Sequence, residues 1–152
     1  MRKFLSGFVL VIAFFLIGFL LIGRTARNLA PEDIKYVKIA GQDVKVDLAL
    51  TPSEQTQGLS GRSGLPEDSG MLFVFDKPGK YFFWMKDMNF PIDIIWLGED
   101  MKVIYIKKNA LPESYPELYG PEADAGYVLE VGAGFSDKNN LQIGDSAQFI
   151  FH

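Results

Sequence analysis

From Phe4 to Ile22 the chain runs nineteen residues without a charge, FLSGFVLVIAFFLIGFLLI, and fifteen of them are Phe, Leu, Ile or Val. At about 1.5 Å per residue, a helix of this length spans roughly 28 Å, the thickness of a bilayer's hydrocarbon core. At about −0.4 kcal/mol for each large apolar residue, insertion is favoured by roughly −6 kcal/mol. A helix also satisfies its own backbone polar groups, as lipid requires. We therefore read residues 1–23 as an N-terminal membrane anchor that grips the bilayer through residues 4–22.

A cleavable secretory signal is the rival reading, because Arg2 and Lys3 supply a basic start. Against it, the apolar core exceeds the roughly 7–15 residues of such signals. Asn28 also occupies the −3 position before Ala30, where a small residue is expected. Arg2 and Lys3 before the span are balanced by Arg24 and Arg27 after it, so flanking charge barely biases orientation. The export-type start places the remainder outside the cytoplasm in this reading.

Residues 24–33 read as a polar juxtamembrane linker, and 34–152 as one soluble domain. From Pro31 onward the chain carries 11 Lys and Arg against 19 Asp and Glu, a net charge of −8. Such a domain repels phosphate backbones, so nucleic acid is not an expected partner. Cysteine is absent, and the single histidine is His152. Thiol chemistry, a Ser-His-Asp triad and a transition-metal site therefore lack their essential groups, and no cofactor is expected. Oxygen ligands for calcium are conceivable at Glu122 and Asp124, or at Asp137, Asn139 and Asn140, but neither run has the EF-hand order. Solvated loop charges are the expected reading there.

The hydrophobic pattern of the domain is mostly of period two. IKYVKI (34–39) and VKVDLAL (44–50), joined at Gly41, read as a hairpin. Thr51-Pro52-Ser53-Glu54 is a capping-box start for a helix of about two turns ending at Gly58. Four apolar runs follow, at 71–75, 81–88, 92–97 and 101–106, separated by turn residues, and they predict an antiparallel meander. Residues 107–126 read as a long loop, 127–131 as a strand, 135–141 as a helical turn capped by Ser136, and 146–151 as the closing strand. The expected fold is α+β: a mostly antiparallel, strongly curled sheet, barrel-like or sandwich-like, with one or two short helices.

Five residues stand out as candidate ligand-binding groups: Arg62, Trp84, Lys86, Asp93 and Glu130. Lys86, Asp93 and Glu130 interrupt apolar runs, and a charge buried alone costs several kcal/mol. Each must find a partner or open onto a cavity. Arg62 lies in the glycine-rich segment GLSGRSG (58–64), which has neither the nucleophile-elbow nor the P-loop pattern. Pairing of Asp93 with Lys86 or Arg62 would make a structural ion-pair network. Convergence of the five around a ligand stacked on Trp84 would make a binding pocket.

The motifs GLSGR (58–62), GMLFVF (70–75), FWMK (83–86), PIDIIWL (91–97), YVLEV-x-AG (127–134) and IGD (143–145) carry a family likeness. Over about 44–149 the chain resembles the domain of unknown function 192 family of uncharacterised prokaryotic proteins. The resemblance implies a compact β-rich domain, often preceded by a signal or anchor, and brings no activity with it. The family's recurring polar positions fall on Arg62, Lys86, Asp93, Glu130 and Asp145. This chain departs at Ser60, where methionine is usual, and at Asp87-Met88, where Asn-Thr is usual. The expected function is a membrane-anchored module that binds a small polar ligand, a glycan or peptide, outside the cytoplasm. The alternatives are an assembly domain contacting an envelope protein, and a carboxylate-dependent hydrolase or transferase using Asp93 or Glu130.

Overall fold

The computed structural model describes residues 30–151. The apolar run over 4–22, and with it the anchor-or-signal question, lies outside the described residues. Among the described residues no helix is long and apolar enough to cross a membrane.

The period-two stretch after the linker folds as expected. Strands β1 (Ile34–Ile39) and β2 (Gln42–Ala49) pair antiparallel with Ile39 opposite Gln42. Only Ala40 and Gly41 separate them, both at positive φ (48° and 75°). That is the left-handed pair that lets a two-residue turn follow the twist of its strands. Val37, Ile39, Val44 and Val46 are buried while the Lys and Asp residues between them face out. Helix α1 (Pro52–Gln57) starts at the capping box: Thr51 Oγ1 accepts from the Glu54 amide (3.3 Å), and Glu54 Oε2 accepts from the Thr51 amide (2.8 Å). These hydrogen bonds hold the exposed Glu54 carboxyl below the usual carboxylate range. The helix ends at Gly58, whose φ of 49° a side chain would resist.

Helix α1 carries the chain across to β3 (Ser69–Gly79), which lies parallel to β2 with Val46 beside Gly70 and Ala49 beside Phe73. The remaining strands are β4 (Ile92–Leu97), β5 (Val103–Ala110), β6 (Ala125–Gly132) and β7 (Ala147–Phe151). Together they form one seven-stranded sheet in the order β5-β4-β6-β3-β2-β1-β7, antiparallel except at β2–β3. Gly70 allows β3 to press on β6, since a Cβ there would lie 2.5 Å from the Glu130 carbonyl oxygen.

The domain is thus β-rich with two short helices, but the expected strong curl is corrected. The sheet is open and mixed. Its outer strands β5 and β7 share no ladder, and their starts are tied by a bridge at Lys102–Ser146 and by hydrogen bonds from Val103 N–H to the Asp145 carbonyl and from Ala147 N–H to the Met101 carbonyl (both 2.8 Å).

What suggested curling was the two-sided burial of IDIIWL, every residue of which is buried in β4. One side packs Ile95 and Leu97 against Leu72, Leu129 and Val131. The other packs Ile94 and Trp96 against Phe73, Met85 and Val128. That second side is roofed by residues 80–91, which form an extended covering loop and not the strand read from the sequence. Phe83 and Met85 face the sheet while Phe82 and Trp84 face out, so the alternation persists without a ladder. A single bridge, Phe83–Tyr119, supports it.

Two further boundaries move. Strand β5 begins only after the positive-φ turn at Met101 and continues to Ala110, into the stretch read as loop. The four-residue helix α2 (Phe135–Lys138) is preceded by Gly134 as its N-cap, so Ser136 sits inside it.

Candidate functional site

Asp93 and Glu130 pose the same problem in sequence and are resolved in opposite ways. Asp93 is fully buried on β4. Its Oδ1 accepts from the amides of Asn109 (2.8 Å) and Gly134 (3.2 Å), and its Oδ2 accepts from Ser136 (2.8 Å). It therefore supplies from across the fold the cap that Ser136 was expected to give α2, and it pins the end of β5. Neither Lys86 nor Arg62 pairs with it, so that expectation is corrected. A carboxylate holding three backbone amides is structural by geometry.

Glu130 is 5% exposed and has no such partners: its Oε2 is buried with no hydrogen bond. On β6 it lies between Met71 of β3 and Ile94 of β4. Loss of water pushes its carboxyl up to about 8, and the positive charge of Arg62 opposes this only in part. At neutral pH the group is mostly un-ionised and can both donate and accept.

The Glu130 carboxyl opens onto a pocket of about 260 Å³ between the end of α1, β3 and the covering loop. Phe73, Phe75, Tyr81, Phe83 and Trp84 contribute to its walls, with Gln55 to Ser60 along one side. Gly58 leaves it room, since a Cβ there would lie 3.3 Å from Phe73 Cζ and 3.9 Å from Glu130 Oε2. The walls are braced from behind. Phe73 meets Phe83 edge-on at 4.9 Å, Phe83 meets Trp96 edge-on at 5.7 Å, and Phe75 stacks on Tyr81 at 3.5 Å.

The GLSGR segment is laced to the covering loop by three hydrogen bonds. Ser60 Oγ donates to the Lys86 carbonyl (2.8 Å), Gly61 N–H to the Asp87 carbonyl (2.8 Å), and Asn89 Nδ2 to the Arg62 carbonyl (2.9 Å). Asp87 takes a φ of 56° to make that turn. Both departures from the usual family residues, Ser60 and Asp87-Met88, fall on this seam, and Ser60 and Met88 also line the pocket.

The five singled-out residues are thus partly brought together. Glu130 and Trp84 line the pocket. Arg62 lines a neighbouring cleft that shares Gln57 and Gly58 with it, and its guanidinium binds Asp47 at 2.7 Å. Lys86 is exposed, with its ammonium 5.9 Å from the Trp84 ring centroid. Asp93 belongs to the frame. Asp145 does too, accepting from the Gln142 amide (2.9 Å) in the turn before β7. Sequence reasoning did not single out Phe73, Phe75 or Tyr81, because their apolar runs look like ordinary core. The available signal was Gly58 in the family motif.

The acidic runs considered for calcium contain exposed ion pairs, Glu122 with Lys80 (3.2 Å) and Asp137 with Lys108 (2.6 Å). Among the described residues no group of three or more acidic, His or Cys side chains is placed to hold a metal.

The model of the domain of unknown function 192 family, described as "Uncharacterized ACR", matches residues 35–149. The chain belongs to this family. No curated protein matches it. A crystal structure from Sinorhizobium meliloti 1021, described as a "putative transcription regulator", is 32% identical with a TM-score of 0.68, over 71% of this chain and 83% of its own. A protein of unknown function from Novosphingobium aromaticivorans DSM 12444 is 30% identical with a TM-score of 0.72, over 76% and 84%. In the family motifs as they stand here, PIDIIWL supplies a frame carboxylate at Asp93, and YVLEV a pocket carboxyl at Glu130.

Proposed function

We propose that the chain is a membrane-tethered binding module whose domain takes a small polar ligand, outside the cytoplasm, into the pocket over Glu130. One observation carries this reading: a buried carboxyl oxygen without a partner at an open, aromatic-walled cavity. A purely structural carboxylate recruits amides, as Asp93 does. Glu130 leaves its hydrogen-bonding capacity to whatever enters, and the flat rings supply contact area at small entropic cost. The tether rests on the uncharged run over 4–22. A direct action on DNA, one meaning of the Sinorhizobium protein's description, is a poor match to a chain that carries a net charge of −8 from Pro31 onward.

Thermal unfolding of the full chain in detergent tests the reading against a panel of monosaccharides, dipeptides, amino acids and small amines. At least one class should raise Tm by several degrees in the wild type, with the rise lost in Glu130→Gln and reduced in Trp84→Ala. A folded protein that none of the panel stabilises would contradict it.

A second reading, an assembly domain for an envelope protein, is favoured by the half-exposed rings of Phe82, Trp84 and Tyr115. Trp84 and Tyr115 meet at 5.6 Å, forming an apolar rim that a partner would cover.

A further inference from the structure

The polar groups around the pocket show what kind of ligand they lack. The lining side-chain donors are largely engaged within the protein. Gln55 Nε2 donates to the Val74 carbonyl (2.9 Å), Thr56 Oγ1 to Pro52 (2.8 Å), and Gln57 Nε2 to Ser60 (2.8 Å). Ser60 Oγ donates to the Lys86 carbonyl (2.8 Å) and the Tyr81 hydroxyl to the Lys77 carbonyl (2.6 Å). The donors that remain are the indole N–H of the half-exposed Trp84 and, while it keeps its proton, the Glu130 carboxyl itself. Acceptors are in surplus, with the Glu130 carboxyl foremost.

Charge points the same way. Glu130 is the charged residue type in the lining, with no Lys or Arg beside it. Arg62, the cation whose field reaches Glu130, is committed to Asp47 at 2.7 Å. A carboxylate or phosphate ligand would meet an acidic group, aromatic faces and few donors. A cation would meet acceptors and the negative faces of the rings, which attract ammonium groups. The protein already shows such a contact at the rim, where the Lys86 ammonium lies over Trp84.

We infer that the pocket's ligand carries a primary organic ammonium, which donates to Glu130 while its carbon chain packs on the aromatic walls. This rests on the binding-module reading and narrows its ligand class. Entry of the cation favours the ionised carboxylate, so at pH 7 binding should expel the proton that burial keeps on Glu130. Met71 and Ile94 flank that carboxyl from the adjacent strands and Gly58 faces it from the end of α1, none of them titratable.

Calorimetry on the full chain in detergent at pH 7, with n-butylamine (cationic), n-butanol and n-butyrate as matched probes, tests the assignment. The ammonium should bind at least tenfold tighter than the alcohol, and butyrate should not bind. Titration in two buffers of different ionisation enthalpy should show close to one proton released per ammonium bound. Glu130→Gln should lower ammonium affinity at least tenfold, abolish proton release and remove the amine's advantage over the alcohol. Equal binding of amine and alcohol, preference for butyrate, or ammonium binding without proton release would overturn it. Sugars or uncharged peptides stabilising the protein while amines fail would sink the ammonium assignment and leave the binding module standing. Silence from every probe and from the wider panel would remove both.

Discussion

Replacing Glu130 by Gln should flatten the loss of stability that the wild-type protein suffers as pH rises from 4.5 to 8. Burial lifts the carboxyl from 4.5 in the unfolded chain to about 8 in the folded one. Below 4.5 both states hold the proton and the group contributes nothing to the pH dependence. Between the two values the unfolded chain has released its proton and the folded chain has not, so each pH step favours unfolding. Above 8 both states are ionised, and the penalty is complete at about 5 kcal/mol. Glutamine cannot ionise, so the variant escapes this slope. It keeps a poorly partnered amide in the same place, at about 1–3 kcal/mol. The variant should therefore be no more stable than wild type near pH 4.5 and more stable by a few kcal/mol at pH 8.5. Urea unfolding followed by tryptophan fluorescence across this range reads the difference, with the fully buried Trp96 as reporter. The exposed carboxyls of Glu54 and Glu67, held low by their hydrogen bonds, cancel in the comparison because both proteins have them. Parallel pH profiles for the two proteins would contradict the prediction.

Asp93→Ala should destabilise the fold at every pH where the protein is folded, by about 3–5 kcal/mol. Removing that carboxylate strands three backbone amides, those of Asn109, Gly134 and Ser136. Ser136 is itself fully buried and its hydroxyl already lacks a partner, so the stranded amides gain little compensation there. Amide hydrogen exchange should locate the damage, accelerating at Gly134 and Ser136 first as α2 loses its cap. Asp93→Asn should fall between wild type and Ala, because its carbonyl oxygen can replace one acceptor while its NH2 opposes an amide. Unchanged exchange at these positions, or a loss below about 1 kcal/mol, would mean the carboxylate is not the cap.

These two carboxylates also mark how far the sequence could be read. IDIIWL and YVLEV each place an acid in an apolar strand, which is enough to flag Asp93 and Glu130. Which acid finds partners depends on backbone brought in from residues 109 and 134–136, and no local pattern records that. Local chemistry was legible where it acts locally. The turn around Gly41, the capping box at Thr51 and the alternation of buried Val44 and Val46 with exposed Lys45 and Asp47 in β2 appear as read, while Ala49, on the face of Lys45 and Asp47, is fully buried.

The misread elements are those whose pattern serves something other than a ladder. Residues 81–88 alternate because one side roofs the sheet, and the helix-borne crossover that sets β3 parallel to β2 requires pairing that no neighbouring residues specify. Lys107, Lys108 and Asn109 looked like loop residues, yet they belong to β5 at the sheet's edge, where charges discourage unwanted pairing. The pocket was legible at Glu130 and at Trp84, but not at Phe73, Phe75 or Tyr81, since aromatic walls and aromatic core have the same composition.

The state of the Glu130 carboxyl decides between a binding group and an incidental core residue. Carbon-13 NMR of the full chain, with the Glu130 side-chain resonance assigned through Glu130→Gln, measures that state directly as pH is varied. A midpoint near 8, displaced downward when n-butylamine is added, is the expected result. A midpoint near the ordinary 4.5, unmoved by the amine, would mean that the carboxyl is solvated or paired in solution, and the proposed site would lose its central group.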